Sequence, residues 1–124
     1  DAAGATAAFN LNLLNRINRE LHGNFDISAF AHCAHYNMVR GRVEMHIYSL
    51  GFQTVRIDGR LFTFTPGESI HTENAYKYTV SEFQVLARAN GFRPQYVWVD
   101  EDPLFSLHCL KVADRSNLQP PAMV

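Results

Sequence analysis

Apolar residues recur at helical spacing near the start of the chain. Within residues 6–22 they are Phe9, Leu13, Leu14, Ile17 and Leu21. This spacing predicts an amphipathic helix, and Gly23 is typical of a position just past a helix end. Asp26 and Ser28 are both favourable N-cap residues, so a second, shorter helix is predicted from there to about Tyr36.

The pattern changes after Gly41 to the alternation of a β-strand. In residues 43–50, apolar side chains occupy every second position and so share one face, which predicts a half-buried strand. Three more strands are predicted, at 53–57, 60–65 and 68–78. The dipeptide Asp58-Gly59 favours a two-residue hairpin turn, and Pro66-Gly67 favours another turn. Four strands in succession predict an antiparallel β-meander.

A third helix is predicted where Thr79 and Glu82 form a capping box, and Gly91 ends it. Two strands follow, at 96–99 and 105–112, and residues 113–124 are predicted to form a surface tail. The element order therefore predicts an α+β fold. A shift in composition near Tyr78 marks the predicted internal boundary.

Composition and charge narrow the classes of protein. The chain has 124 residues, of which 47% are hydrophobic, and a net charge of −1, so it is expected to fold. Eleven basic residues are balanced by 12 acidic ones without a basic run, which argues against a nucleic-acid partner. No apolar stretch approaches the roughly 20 residues needed to span a bilayer, so no membrane partner is expected. Cys33 and Cys109 lack paired spacing and predict free thiols in a reducing, cytoplasmic compartment.

The start of the chain and the missing motifs point to an incomplete enzyme. The chain begins at Asp1 without Met and enters a helical pattern almost at once, which predicts that an N-terminal neighbour is missing. None of the patterns G-x-S-x-G, the P-loop and G-x-G-x-x-G is present. A self-contained hydrolase or nucleotide-binding enzyme is therefore not expected.

The segment 70–78 contains several side chains that could bind a metal ion or a ligand. On a regular strand, His71, Glu73 and Ala75 share one face. His71 and Glu73 would then be adjacent metal ligands, with His46 or His108 completing the site. Alternatively, Glu73 is a buried carboxylate that accepts a ligand's N–H, or both residues are ordinary solvent-facing ones.

Other candidate side chains carry less information. His32 and His35 are three residues apart and would share a helical face, but no third ligand is evident. Met45 lies among apolar residues, where core packing is the usual role of a methionine.

Four stretches, taken together, resemble one enzyme family. They are residues 6–21, Arg42-Val43-Glu44-Met45-His46, residues 67–78 with the run His71-Thr72-Glu73-Asn74-Ala75-Tyr76-Lys77-Tyr78, and residues 91–108. In order, and across residues 1–112, they are similar to the C-terminal part of the histidine-specific, S-adenosylmethionine-dependent methyltransferases. Those enzymes trimethylate the α-amine of L-histidine to hercynine, the first step of ergothioneine biosynthesis.

The resemblance implies that two parts of the chain have different roles. Residues 1–78 correspond to a substrate-recognition segment, and residues 79–113 to the last helix and antiparallel strand pair of a Rossmann-like methyltransferase core. Residues 114–124 form the tail. The S-adenosylmethionine-binding part would precede Asp1 in the same parent chain, so the fragment alone is expected to be inactive.

The resemblance also assigns substrate-binding residues. Glu73 matches the carboxylate that binds the imidazole of the small-molecule substrate, and Met45 matches a pocket-lining methionine. Thr6 and Phe9 match positions near the substrate. Ala75 stands where the family often has a serine that also reaches the imidazole. No general base, cofactor-binding residue or metal ligand is assigned.

Three hypotheses therefore remain from the sequence. In the first, the parent protein methylates L-histidine. In the second, motivated by Ala75, it belongs to the same family but acts on another amino-acid-derived amine, such as a tryptophan-derived one. In the third, the chain is a small metal- or ligand-binding β-domain that uses His71 and Glu73.

Overall fold

A computed structural model describes residues 4–113, which fall into two compact units divided between Lys77 and Tyr78. The first unit contains α1, a single 3-10 turn (Ile27–Ala29) and five strands, and the second contains α2 and two strands. The helices are α1 (Ala5–Glu20) and α2 (Val80–Ala89). The strands are β1 (Phe30–Asn37), β2 (Arg42–Ser49), β3 (Gln53–Ile57), β4 (Arg60–Phe64), β5 (Ser69–Tyr76), β6 (Phe92–Val99) and β7 (Ser106–Val112). The predicted α+β fold class is confirmed.

The predicted second helix is wrong. Asp26 does cap a helical turn, since its side chain accepts from the Ser28 N–H, but only one 3-10 turn forms. The chain then continues as β1, which pairs antiparallel with β2 along its whole length, from Phe30 opposite Ser49 to Asn37 opposite Arg42. Hydrogen bonds to a neighbouring strand thus override a local helix-start signal.

The order of strands also differs from a simple meander. The sheet has the order β1-β2-β5, and β3 and β4 form a separate hairpin. The chain leaves the sheet after Ser49, and β5 enters beside it, because the Ser49 N–H donates to Glu68 and its carbonyl accepts from Gly67. The predicted Asp58-Gly59 turn is confirmed, with φ values of 47° and 77° that match a hairpin turn requiring positive φ at both positions.

The core of the first unit lies between α1, the sheet and the hairpin. Its buried members are Leu14, Phe25, Phe30, Ile47 and Val55. The Phe30 and Phe64 rings meet nearly edge to face, with centroids 5.5 Å apart, which is a favourable aromatic geometry.

The helix α1 presents a slightly different face to this core than its apolar pattern predicts. Leu14 and Ile17 pack inward as expected, but Phe9 is 69% exposed and Leu21 is exposed as well. The buried position one turn before Leu14 is polar, because it is Asn10, 3% exposed. A buried side-chain amide requires hydrogen-bond partners, and these partners lie beside the candidate site.

The second unit follows its local signals closely. The capping box of α2 is present, with the Thr79 hydroxyl accepting from the Glu82 N–H and the Glu82 carboxylate accepting from the Thr79 N–H. The strand β6 begins at Phe92, earlier than predicted, because Phe92 already pairs with Val112 of β7. A bulge between Pro94 and Tyr96 shifts the register of this pair of strands. The tail predicted for 114–124 lies outside the described residues. Within residues 4–113, neither helix is long and apolar enough to cross a membrane.

Candidate functional site

A β-bulge in β5 decides which of its side chains meet. Met45 is opposite Glu73 and His46 is opposite His71, so Thr72 is an extra residue without a partner in β2. Paired residues of antiparallel strands point to the same face, and neighbours on one strand point to opposite faces. Glu73 therefore shares a face with Met45, and His71 shares the other face with His46. The prediction that His71 and Glu73 lie on one face is wrong.

This bulge also breaks up the metal site predicted from His71 and Glu73. The His71 ring stacks on His46, with centroids 4.5 Å apart, and its Nε2 lies 2.7 Å from Asn74 Oδ1. His108, the other proposed ligand, belongs to the second unit, where it packs against Phe83. Within residues 4–113, the ligand-type side chains that converge are a different set, described below.

Asn10 ties α1 to the sheet at the bulge. Its Nδ2 lies 2.9 Å from His32 Nδ1 and donates to the carbonyl of His46 at 3.2 Å. Its Oδ1 lies 2.6 Å from the Thr72 hydroxyl, which is also 3.0 Å from the carbonyl oxygen of Met45. The Thr72 hydroxyl thus forms a hydrogen bond with the buried Asn10 amide, and this bond fixes α1 against the strand that carries Glu73.

A cleft of about 190 Å³ opens between α1 and β5. It is lined by Phe9, Asn10, Asn12, Leu13, Arg16, Thr72 and Glu73. Drug-sized ligands occupy sites of roughly 300–1,000 Å³, so this cleft suits a smaller group, such as one ring of a substrate.

The Glu73 carboxylate is available to a ligand, because Glu73 is exposed; the prediction of a buried carboxylate is wrong for the described residues. No hydrogen bond or ion pair within residues 4–113 engages it. Arg16, the cationic side chain that lines the cleft, instead binds Glu20. Its Nε lies 3.3 Å from one carboxylate oxygen of Glu20, and a terminal nitrogen lies 3.1 Å from the other. The cleft therefore combines an unpaired anion with aromatic and aliphatic walls.

The five predicted substrate-binding residues fall at or near this cleft. Phe9 and Glu73 line it. Met45 is buried opposite Glu73 in the sheet, and Ala75 is half-buried two residues farther along β5. Thr6 is half-buried on α1, one turn before Phe9.

Sequence reasoning missed the other residues that line the cleft. Asn12, Leu13 and Arg16 follow Phe9 at helical spacing, so the signal for them was present in the sequence. Asn10 and Thr72 had no such signal, because their roles depend on the bulge and on where α1 packs.

The opposite face of the sheet carries a charged cluster around Glu44, which is only 7% exposed. Glu44 Oε1 accepts from Arg42, at 2.7 and 2.8 Å, and from Asn37 at 3.0 Å. Glu44 Oε2 lies 3.5 Å from His35 Nε2 and 3.3 Å from His46 Nε2. The Arg42 guanidinium, more than any other neighbour, lowers the pKa of Glu44 to about 2.

The two cysteines are unpaired, as predicted, and Cys33 on β1 is exposed rather than buried.

Known proteins match the chain over most of its length. The profile of the family described as histidine-specific, SAM-dependent methyltransferase matches residues 1–112, and the chain belongs to this family. The histidine N-alpha-methyltransferase of Mycobacterium tuberculosis is 38% identical over 109 residues, which cover 86% of this chain and 34% of that protein. The enzyme of the same name from Mycolicibacterium smegmatis is 37% identical over the same shares. The chain thus spans about a third of the length of the curated relatives it matches.

Proposed function

We propose that the protein to which this chain belongs trimethylates the α-amine of L-histidine, giving hercynine in ergothioneine biosynthesis, and that residues 1–78 recognise the substrate. The observation that carries this proposal is the unpaired Glu73 carboxylate at a cleft of about 190 Å³. Membership of the histidine-specific family and the names of the two relatives support the choice of substrate.

The chemistry explains why recognition should fall on the imidazole. Methyl transfer requires the amine to be neutral and aligned with the methyl carbon, so much of the rate comes from positioning. The amine changes at each of three transfers, whereas the imidazole does not. Glu73 accepts the imidazole N–H in a charge-assisted hydrogen bond, and Phe9 and Met45 shape the apolar surroundings. An apolar analogue cannot form this hydrogen bond, so it should be bound less tightly than histidine.

We further propose that S-adenosylmethionine, which supplies the electrophilic methyl group on a sulfonium, is bound by segments outside this chain. The proposal is supported by the connection from β5 to α2, residues 77–79, which has no glycine-rich turn. Residues 79–113 would complete the methyltransferase core, and the chain alone would be inactive. The two unpaired thiols, Cys33 and Cys109, support a cytoplasmic location.

The test is Glu73→Ala in the complete protein, with histidine methylation followed by mass spectrometry. Loss of a hydrogen bond to a charged group is worth about 1.5–3 kcal/mol, so kcat/KM for histidine should fall by about 10- to 150-fold. Glu101→Ala removes an exposed carboxylate outside the cleft and should leave turnover unchanged. Wild-type histidine turnover by Glu73→Ala would contradict the assignment of Glu73.

A second candidate substrate is another amino-acid-derived amine, and Ala75 favours it. The alanine lacks the hydroxyl that the family often places near the imidazole, so one contact specific to histidine is absent. Competing histidine against tryptophan and other amines in one reaction decides between the two. A dominant methylated histidine product supports the first proposal, and a different dominant product replaces it.

A further inference from the structure

Three ligand-type side chains converge on the face of the sheet opposite the cleft. They come from two strands, His35 from β1 and Glu44 and His46 from β2, and their ligand atoms all lie within 4.8 Å of one another. We propose that these three residues bind a divalent transition-metal ion of the zinc class. The site does not involve Glu73 or Phe9 and is independent of the proposed methyltransferase function.

The distances fit coordination of one ion. Glu44 Oε2 lies 3.3 Å from His46 Nε2 and 3.5 Å from His35 Nε2. Zn²⁺ binds imidazole nitrogen and carboxylate oxygen at about 2.1 Å in a tetrahedron, whose ligands are then about 3.4 Å apart. The two distances from Glu44 Oε2 therefore already match neighbouring corners of a zinc site, and all three ligand atoms lie within 4.8 Å of one another.

The two oxygens of Glu44 have separate roles. Oε1 is occupied by Arg42 and Asn37, and these donors hold the carboxylate anionic and fix its orientation. Within residues 4–113, the neighbours that bond to Oε2 are the two imidazoles, so an ion can take the place of the imidazole protons there without breaking the Arg42 contact. Metal ligands in proteins are commonly oriented by such outer hydrogen bonds.

His46 is held in a suitable orientation from both sides. Its Nδ1 lies 3.4 Å from the Ser69 hydroxyl. The hydroxyl oxygen can accept a hydrogen bond from Nδ1–H, and in that tautomer the lone pair of Nε2 is free for a metal. The His71 ring stacks on one side, 4.5 Å away, and the His35 ring stacks on the other, 5.0 Å away. The side chain is 13% exposed, which limits its movement.

His35 supplies the adjustable ligand and the access route. Its ring lies within 19° of parallel to that of His46, so it must turn for both nitrogens to point at one ion. Its side chain is 46% exposed at β1, which leaves room for that rotation. The same exposure leaves a fourth position open to water or another small ligand, as in zinc sites that have three protein ligands.

The ligand chemistry selects the class of ion. Two imidazoles and one carboxylate suit Zn²⁺, Co²⁺, Ni²⁺ and Cu²⁺, whereas Mg²⁺ and Ca²⁺ favour oxygen ligands throughout. Zn²⁺ alone is therefore the first probe, and Co²⁺ is the second because its absorption reports the geometry of the ligands.

The experiment measures Zn²⁺ affinity of the purified, untagged protein by competition with a chromophoric chelator. One equivalent should bind, and His35→Gln should weaken the affinity by more than about 100-fold, because losing even an outer partner of a metal ligand costs 10- to 100-fold. His22→Asn removes an imidazole outside the cluster and suits the positive φ of 51° at that residue. This control, like Glu73→Ala on the opposite face, should bind Zn²⁺ as the wild type does.

A second measurement keeps the result clear if a variant folds poorly. In the wild-type protein, Zn²⁺ should shift the NMR signals of the His35 and His46 imidazoles and leave that of His22 in place. Failure of the wild type to bind Zn²⁺, or an equal loss in His35→Gln and His22→Asn, would overturn the proposal. Loss of methylation in Glu73→Ala with intact Zn²⁺ binding would support the role of Glu73 in methylation and show that the metal site is independent of it.

Discussion

Ala75 is the candidate site residue that motivates the second proposed substrate. It lies on the cleft-facing side of β5, two residues beyond Glu73, and is half-buried. A hydroxyl placed there would reach the same region as the Glu73 carboxylate. Under the proposed function, this position would affect how tightly histidine binds.

We expect Ala75→Ser to tighten histidine binding. One added hydrogen bond contributes about 0.5–1.5 kcal/mol, so KM for histidine should fall by about 2- to 10-fold, with a smaller change in kcat. Steady-state kinetics of the complete protein measure this. Ala89→Ser, at the exposed end of α2, is the matched control and should change neither constant. An unchanged or raised KM in Ala75→Ser would show that position 75 does not contact the imidazole.

Glu44 should make stability depend on acid pH. Its pKa is lowered from 4.5 to about 2, so the folded state holds the carboxylate anionic where the unfolded state binds a proton. The contribution to the free energy of unfolding is complete above the unfolded pKa, and it is lost as the pH falls from about 5 towards 2. Urea unfolding at several pH values measures it. Glu44→Gln should flatten the dependence in this window, and a variant with the wild-type slope would contradict the assignment.

At the scale of elements, the bulge in β5 positions the candidate site. It turns Glu73 towards α1 and leaves His71 on the other face. The Thr72 hydroxyl, at the bulge itself, meets both Asn10 of α1 and the Met45 carbonyl of β2. One side chain thus joins three elements.

Thr72→Val keeps the shape of the side chain and removes this link. The single hydroxyl hydrogen shared by Asn10 Oδ1 and the Met45 carbonyl is lost, and Asn10 is buried, so the free energy of unfolding should fall by about 1–3 kcal/mol. Urea denaturation measures the loss. Thr63→Val, on an exposed position of β4, should be close to neutral. Equal stability of the two variants would mean that the Thr72 hydroxyl contributes nothing beyond its methyl group.

At the scale of the whole molecule, the chain is a family member that covers about a third of its curated relatives. The part of the chain that the structure describes divides into two compact units after Lys77.

If the cofactor site lies outside this chain, the isolated chain should not bind S-adenosylmethionine. Isothermal titration should give no saturable heat with the chain alone and a one-to-one isotherm with the complete protein. Specific binding by the chain alone would contradict the proposed location of the cofactor site.

Local signals account for the parts of the fold that were predicted correctly. The extent of α1, the Asp58-Gly59 turn and the Thr79 capping box all depend on residues within a few positions of one another. The same kind of information supports the family assignment, because the motifs around Met45 and Glu73 are contiguous in the sequence.

The sequence by itself thus determined the α+β class, most of the strands, the family and two residues of the candidate cleft, Phe9 and Glu73. Only the tertiary structure decided that residues 30–37 form a strand, that β5 rather than β3 pairs with β2, and that a bulge separates His71 from Glu73. The physical reason is the range of the interactions. Strand pairing and bulges depend on partners tens of residues away, and a shift of one residue sends a side chain to the other face of the sheet.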